Sequence, residues 1–208
     1  TLGANVTIDT SGNSGGVSFS STVNADVAGN NRKLAVLAGT GTTTFSGNVG
    51  ATQALADFDV TAGSIVFNAG AAQSVNVTAQ GGNAVTLTGP VTLGQDLTIN
   101  TNGGTPNNLS FSTAASTIDG AKSLTINSGA GNVQLQGTVG GSAALSALTI
   151  NSAAGAGTIA IADIGGAGAG VTGATAVGNA ATATLTFTGT TYNANQQTYT
   201  AAAGQNIQ

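Results

Sequence analysis

Carboxylates are scarce in this chain of 208 residues: the seven acids are all Asp, and Lys plus Arg number three. Glu, His, Cys, Met and Trp are absent. Among the acids, one spacing could do chemistry, Asp57-Phe58-Asp59. In an extended strand, residues two apart project from the same face. The pair could then exchange a proton as general acid and base, or offer oxygens to a hard cation. Two carboxylates make a thin site for Ca²⁺, which takes about six to eight oxygens. Ninety residues further on, the matching positions are Ala147 and Thr149, so the pair is not built into the repeat described below. The expectation is a solvated pair that discourages lateral association, with no catalytic, cofactor-binding or metal-binding residue and no cofactor.

Other groups point the same way. The glycine-rich run at 165–170 has no Lys after it to cradle a phosphate. Three basic residues, Arg32, Lys33 and Lys122, form neither a nucleic-acid footprint nor a polybasic membrane patch. Arg32 aligns with Lys122 across the repeat, and Asp119 stands close enough in sequence to pair with Lys122. No run of about 20 apolar residues exists to cross a membrane as a helix. Thr-x-Thr pairs at Thr42/Thr44, Thr86/Thr88, Thr184/Thr186 and Thr186/Thr188 raise ice binding by outward Thr ranks as a rival. Thr is also the ordinary residue of any exposed strand face.

These residues sit in a chain that alternates. VTIDT, VSFSSTV, VNVTA, AVTLTG, LTINT, LSFST, NVQLQGTV and LTFTG place apolar residues two apart, the period of a half-buried strand. Clusters of Gly, Asn and Ser separate them and allow the positive φ of tight corners. The 33 glycines and 5% charge set the chain apart from ordinary soluble domains, which are roughly 25% charged. The 40% apolar content opposes disorder.

Residues 34–61 and 124–151 are two copies of one sequence. Leu34, Gly39, Gly41, Gly47, Val49, Gly50, Ala54 and Leu55 recur as Leu124, Gly129, Gly131, Gly137, Val139, Gly140, Ala144 and Leu145. TLGANVTIDT at the start returns as TLGQDLTINT, and Phe19 matches Phe111. The spacing slips by a residue or two only at polar corners, among them the segment holding Asn30 and Asn31. Long-period self-similarity marks a stacked architecture, each unit burying its apolar face on the next. Rung marks at Val6, Leu34, Phe58, Val75, Leu97, Leu124, Leu148 and Leu185 lie 17 to 28 residues apart, apart from the last step. The fold expected is therefore all-β: a single-stranded parallel β-helix (β-solenoid) of about eight coils, roughly 40 Å long at ~4.8 Å per rung. Right-handedness is the general rule for parallel crossovers. One continuous solenoid should run over 1–208, with long repeats near 1–90 and 91–208 and a Gly/Ala-rich irregular segment near 165–183.

Within it, Asn100, Asn127 and Asn151 end Leu-Thr-Ile-Asn tetrapeptides and are candidates for a corner amide ladder. Phe19, Phe111, Leu34, Leu124, Ile126 and Ile150 are candidates for the stacked interior. Tyr192 and Tyr199 are candidates for an end-to-end interface, because amphipathic aromatics suit such contacts. Neither terminus reads as a polar cap. The expectation is a piece of a longer array, or units that stack head to tail into an open filament.

VTLGQDLTINT, GNVQLQGTVGG, ALSALTINS and QTYT resemble the β-strand repeats of giant bacterial surface proteins, filamentous-haemagglutinin-like adhesins and autotransporter passengers. The resemblance covers essentially the whole chain. It implies a right-handed parallel β-helix, export to the cell surface, and service as stalk, adhesin or fibre. The partners expected are further copies or flanking repeats, with a host-surface or matrix glycan as another. Neither nucleic acid nor membrane insertion is expected. The rival reading is an adhesive, carbohydrate-binding module.

Overall fold

The computed structural model describes residues 1–27, 32–78, 82–102, 106–151, 153–205 and 207. Asn30 and Asn31 lie outside them. Strand formation follows the alternation. In chain order the strands are β1 (Val6–Asp9), β2 (Val17–Phe19), β3 (Lys33–Leu37), β4 (Thr42–Phe45), β5 (Asp57–Thr61) and β6 (Ser64–Phe67). Next come β7 (Gln73–Asn76), β8 (Gly82–Thr88), β9 (Val91–Leu93), β10 (Leu97–Asn100), β11 (Asn107–Phe111), β12 (Ile118–Asp119) and β13 (Ser123–Asn127). The last are β14 (Val133–Leu135), β15 (Ala147–Ile150), β16 (Ile159–Ile161), β17 (Val171–Val177), β18 (Leu185–Phe187) and β19 (Ala194–Tyr199). A 3-10 turn at Ser11–Asn13 is the helical element among the described residues.

All strand pairs are parallel and form three sheets. The long sheet runs β1-β3-β5-β8-β11-β14-β16-β18, a six-stranded sheet runs β7-β10-β13-β15-β17-β19, and a five-stranded sheet runs β2-β4-β6-β9-β12. The chain visits the long, five-stranded and six-stranded sheets in turn. Where no strand forms, an isolated parallel bridge holds the place: Val23, Ala25 and Val49 on the six-stranded side, Val139, Ile164 and Tyr192 on the five-stranded side. The molecule is a three-sided parallel β-solenoid.

It has about seven turns. The expected eight is corrected for a simple reason: the long sheet's eight strands bound seven steps. The rung marks also mixed two sheets, since Val6, Leu34, Phe58 and Leu185 lie on the long sheet but Val75, Leu97, Leu124 and Leu148 on the six-stranded one. The 17-residue step from Phe58 to Val75 was a change of side, not a turn. Along the long sheet, register partners differ by 24 to 28 residues at every turn.

Register stacks like on like. One interior column is Ile8, Val36, Val60, Leu87, Phe111, Leu135, Ile161 and Phe187. Another on the six-stranded sheet is Val75, Ile99, Ile126, Ile150, Val177 and Tyr199. On the five-stranded sheet Phe19 stacks on Phe45 at 4.9 Å and Phe45 on Phe67 at 5.5 Å, and Phe58 of the long sheet meets Phe45 edge-on at 5.2 Å. Burying an aliphatic or aromatic side chain of this size contributes about 1.5–3 kcal/mol, so the columns are the main source of stability. β17 runs through the Gly/Ala-rich stretch expected to be irregular. It keeps Val171, Thr175 and Val177 inside, with a register shift between Val171 and Ala174.

Candidate functional site

The long repeat carries a consequence that its sequence hides. β1, β3 and β5 lie on the long sheet, yet their partners ninety residues on, β10, β13 and β15, lie on the six-stranded sheet. Likewise β4 of the five-stranded sheet matches β14 of the long one. From β3 to β13 the chain advances eleven sides, counting the bridge at Val49 as a side. With three sides to a turn, that is three turns and two sides. The two copies therefore present their outer faces in different directions.

The first face, β1-β3-β5, holds four of the chain's ten charged side chains, Asp9, Lys33, Asp57 and Asp59. Lys33 stands opposite Asp57 in register, Nζ to Oδ2 3.1 Å. Asp59 stands between Ala35 and Thr86 on the neighbouring strands. Burial pushes the Asp59 carboxyl up; a hydrogen bond with Thr86 opposes this, and the negative charge of Asp57 adds to it. Oδ1 of Asp57 and Oδ1 of Asp59 are both shielded from solvent and make no hydrogen bond. At the strand's end, Asp9 Oδ1 accepts from Ser11 Oγ at 2.6 Å and Ser11 N at 2.9 Å, which holds its carboxyl below the usual range. Leu37, pointing outward beside it, is 38% exposed. Among the described residues no three acidic, His or Cys side chains come together as metal ligands.

The second face, β10-β13-β15, is neutral apart from Asp96 and Lys122 at its corners. Thr98, Thr125 and Thr149 form a rank in register, continued by Ser74 on β7. Asn76, Asn100 and Asn127 form the next rank. Asn151 departs from it. Its backbone turns to φ +46°, it is buried, its Oδ1 accepts from Ser128 N at 2.8 Å, and its Nδ2 donates to Ser128 Oγ at 2.8 Å. The structure thus brings Asn100 and Asn127 side by side and turns Asn151 inward at the corner. The Thr-x-Thr pairs are scattered: Thr42/Thr44 lie on the five-stranded sheet, and Thr86 is separated from Thr186 by Ser110, Gln134 and Ala160.

Leu34, Leu124, Ile126, Ile150 and Phe111 are buried, and Phe19 packs against the core partly exposed on the first rung. Phe19 and Phe111 occupy different sheets and so stack in different columns. Tyr192 and Tyr199 both pack edge-on against Phe187, at 4.5 and 4.8 Å, giving one aromatic from each side of the last turn. Tyr192 Oη donates to the Ile161 carbonyl at 2.9 Å, Tyr199 Oη donates to Gln197 Oε1 at 2.7 Å, and burial pushes the Tyr199 phenol up to about 12.

Sequence reasoning missed the corner brackets. Asp or Asn oxygens accept backbone N–H groups from the next turn: Asn5 from Lys33, Asn48 from Ser74, Asp96 from Ser123, Asn108 from Asn132, Asn132 from Thr158. Asn24, Asp119 and Asp163 each take two successive N–H groups. Asp119 serves this role, and it is the Asp96 carboxylate that senses the Lys122 charge. Arg32 forks onto Asp26 at 2.6 and 2.9 Å. The signal available was an Asx at a corner about 25 residues before a polar loop, visible only once the turn length is known.

Comparison of the chain with protein-family models, with curated proteins and with solved structures gives no match. No helix of the described residues is long and apolar enough to cross a membrane.

Proposed function

We propose that this chain is a non-catalytic structural module of an extracellular bacterial fibre or giant surface adhesin. The observation that carries the reading is the parallel stacking of the three sheets, which runs through every described turn. A rod whose backbone hydrogen bonds run along its axis resists bending and extension, and its length adds turn by turn. Supporting this, the outer faces are mostly Thr, Ser and Asn, and few charges oppose end-to-end approach. The partners in this reading are flanking repeats of a longer chain or further copies joined head to tail. Leu2, Val6, Ile8, Val17 and Phe19, packed on the core but partly exposed, offer apolar contact to a turn laid before them.

Electron microscopy of native material, without denaturation, tests it. Long unbranched fibres whose axial repeat fits ~4.8 Å rungs are expected. Discrete short rods that do not lengthen with concentration would remove the fibre reading. They would favour the adhesive alternative, for which the uncharged Thr and Asn ranks of β10 and β13 are the surface to probe with a glycan array.

A further inference from the structure

The coil-to-coil contacts repeat along with the sequence, although the sheets do not. Gly50 N donates to the Val23 carbonyl at 2.6 Å, and Gly140 N to the Ile118 carbonyl at 2.7 Å. Ala56 N donates to the Arg32 carbonyl at 2.9 Å, and Ser146 N to the Lys122 carbonyl at 3.0 Å. Ser46 N bonds the Phe19 carbonyl as Gln136 N bonds that of Phe111. The brackets follow the same rule. Asn5 receives Lys33 N at 3.0 Å where Asp96 receives Ser123 N at 2.8 Å. Asn24 receives Thr52 and Gln53 where Asp119 receives Ser142 and Ala143. Gly39 and Gly129 share φ +59°, and Gly50 and Gly140 have φ +69° and +67°.

Every one of these pairs joins two different positions around the rod. The surface that a turn offers to the next is therefore specified by the side it belongs to in the repeat, not by which sheet that side occupies. We infer that docking surfaces in this rod are interchangeable across its three sheets. The surface formed by β10, β11 and β12 and ending at Ser123 should accept the segment beginning at Leu34 as well as its native partner beginning at Leu124, turned by one third of a revolution from the place that segment holds in the first copy. The occupant is a second repeat unit of this chain itself. One consequence is that a run of such units shows each outer face, charged or neutral, on all three sides in turn. This inference depends on the register alone and stands whether or not the protein forms fibres.

Duplicating residues 34–123 in place, directly after residue 123, tests it. The first 123 residues keep every neighbour that precedes them, and the inserted β3 falls where β13 normally docks on β10. The chain has no cysteine, so Thr98→Cys together with Ala35→Cys in the inserted unit gives a clean reporter. Those positions become register partners on adjacent strands, within reach of a disulfide. The expected result is a protease-resistant, cooperatively melting, longer rod that forms this bond within one chain under mild oxidation. A protease-labile insert, an aggregated product, or a folded product without the bond would each overturn the inference.

Discussion

β1-β3-β5 and β10-β13-β15 have nearly the same inside and different outsides. Inward, Val6/Ile8, Leu34/Val36 and Phe58/Val60 answer Leu97/Ile99, Leu124/Ile126 and Leu148/Ile150, apolar for apolar. Outward, Asp9, Lys33, Leu37, Asp57 and Asp59 stand where the second face has Asn100, Ser123, Asn127, Ala147 and Thr149. Stacking constrains the interior, because each side chain meets a like neighbour above and below, while water tolerates any polar residue outside. The outer residues are thus where the two copies could diverge at little cost to the fold.

The largest effects should come from the shared interior and be equal in the two copies. Val36→Asp and Ile126→Asp each place an unpaired carboxylate at a fully buried position. Each should cost about 4 kcal/mol or more, read as a collapse of the urea unfolding midpoint. An unchanged transition for either would mean that residue is not interior. Next come the corners. At Gly50 and Gly140 φ is positive, and a Cβ would strike the Asn76 and Gly170 carbonyl oxygens of the following turn. Gly→Ala at either should cost more than about 1 kcal/mol, whereas Gly70→Ala, with open space around it, should leave the melting temperature in place. A large cost at Gly50 and none at Gly140 would break the equivalence of the copies.

Much of the interior was legible because period-two alternation survives in every copy: Val6-Thr7-Ile8 and Leu124-Thr125-Ile126 announce strands and facing alike. The Leu-Thr-Ile-Asn marks at 97 and 124 also gave true register partners. What stayed hidden was which side a strand takes. Leu34 and Leu124 look equivalent in sequence and are equivalent in their contacts, yet eleven sides cannot return to the same sheet of a three-sided rod. The residue pattern records distance along the chain, and the sheet follows only when turn length is known. The brackets were illegible for the same reason: Asp96 and Ser123 are neighbours only because 27 residues make one turn there. At the corner after Ile150, the sequence shows a third Asn but not that its backbone turns left-handed and aims it inward.

The outer difference should yield smaller, opposite effects. Asp59 has a folded carboxyl raised above its unfolded value by burial, so its charged form weighs against the folded state. That burden is absent below the unfolded value and sets in as pH rises through the carboxylate range. Asp59→Thr, which copies Thr149 of the second face, should raise stability at neutral pH by about 0.5 kcal/mol, a half-exposed group being well screened. The gain should vanish on acidification. Thr149→Asp should move stability the other way. Equal gains for Asp59→Thr at acid and neutral pH would assign the effect to packing and remove the electrostatic account.

Asp96 and Asn5 make the finest comparison, since the same bracket is closed by a carboxylate in one copy and an amide in the other. The Ser123 backbone N–H, then its hydroxyl, holds the Asp96 carboxyl below its ordinary value. A depressed folded value contributes stability above the unfolded pKa, and that contribution is lost as pH falls through the folded one. Asn5 accepts the Lys33 N–H without titrating, so its corner is indifferent to acid. Asp96→Asn should therefore leave the melting temperature at neutral pH nearly unchanged and make its decline on acidification through and below the ordinary carboxylate range shallower. Asn5→Asp should transfer that acid sensitivity to the first copy. If Asp96→Asn lowers stability equally at every pH, the bracket draws on the carboxylate for more than its acceptor oxygen, and the corners of the two copies are held by different forces.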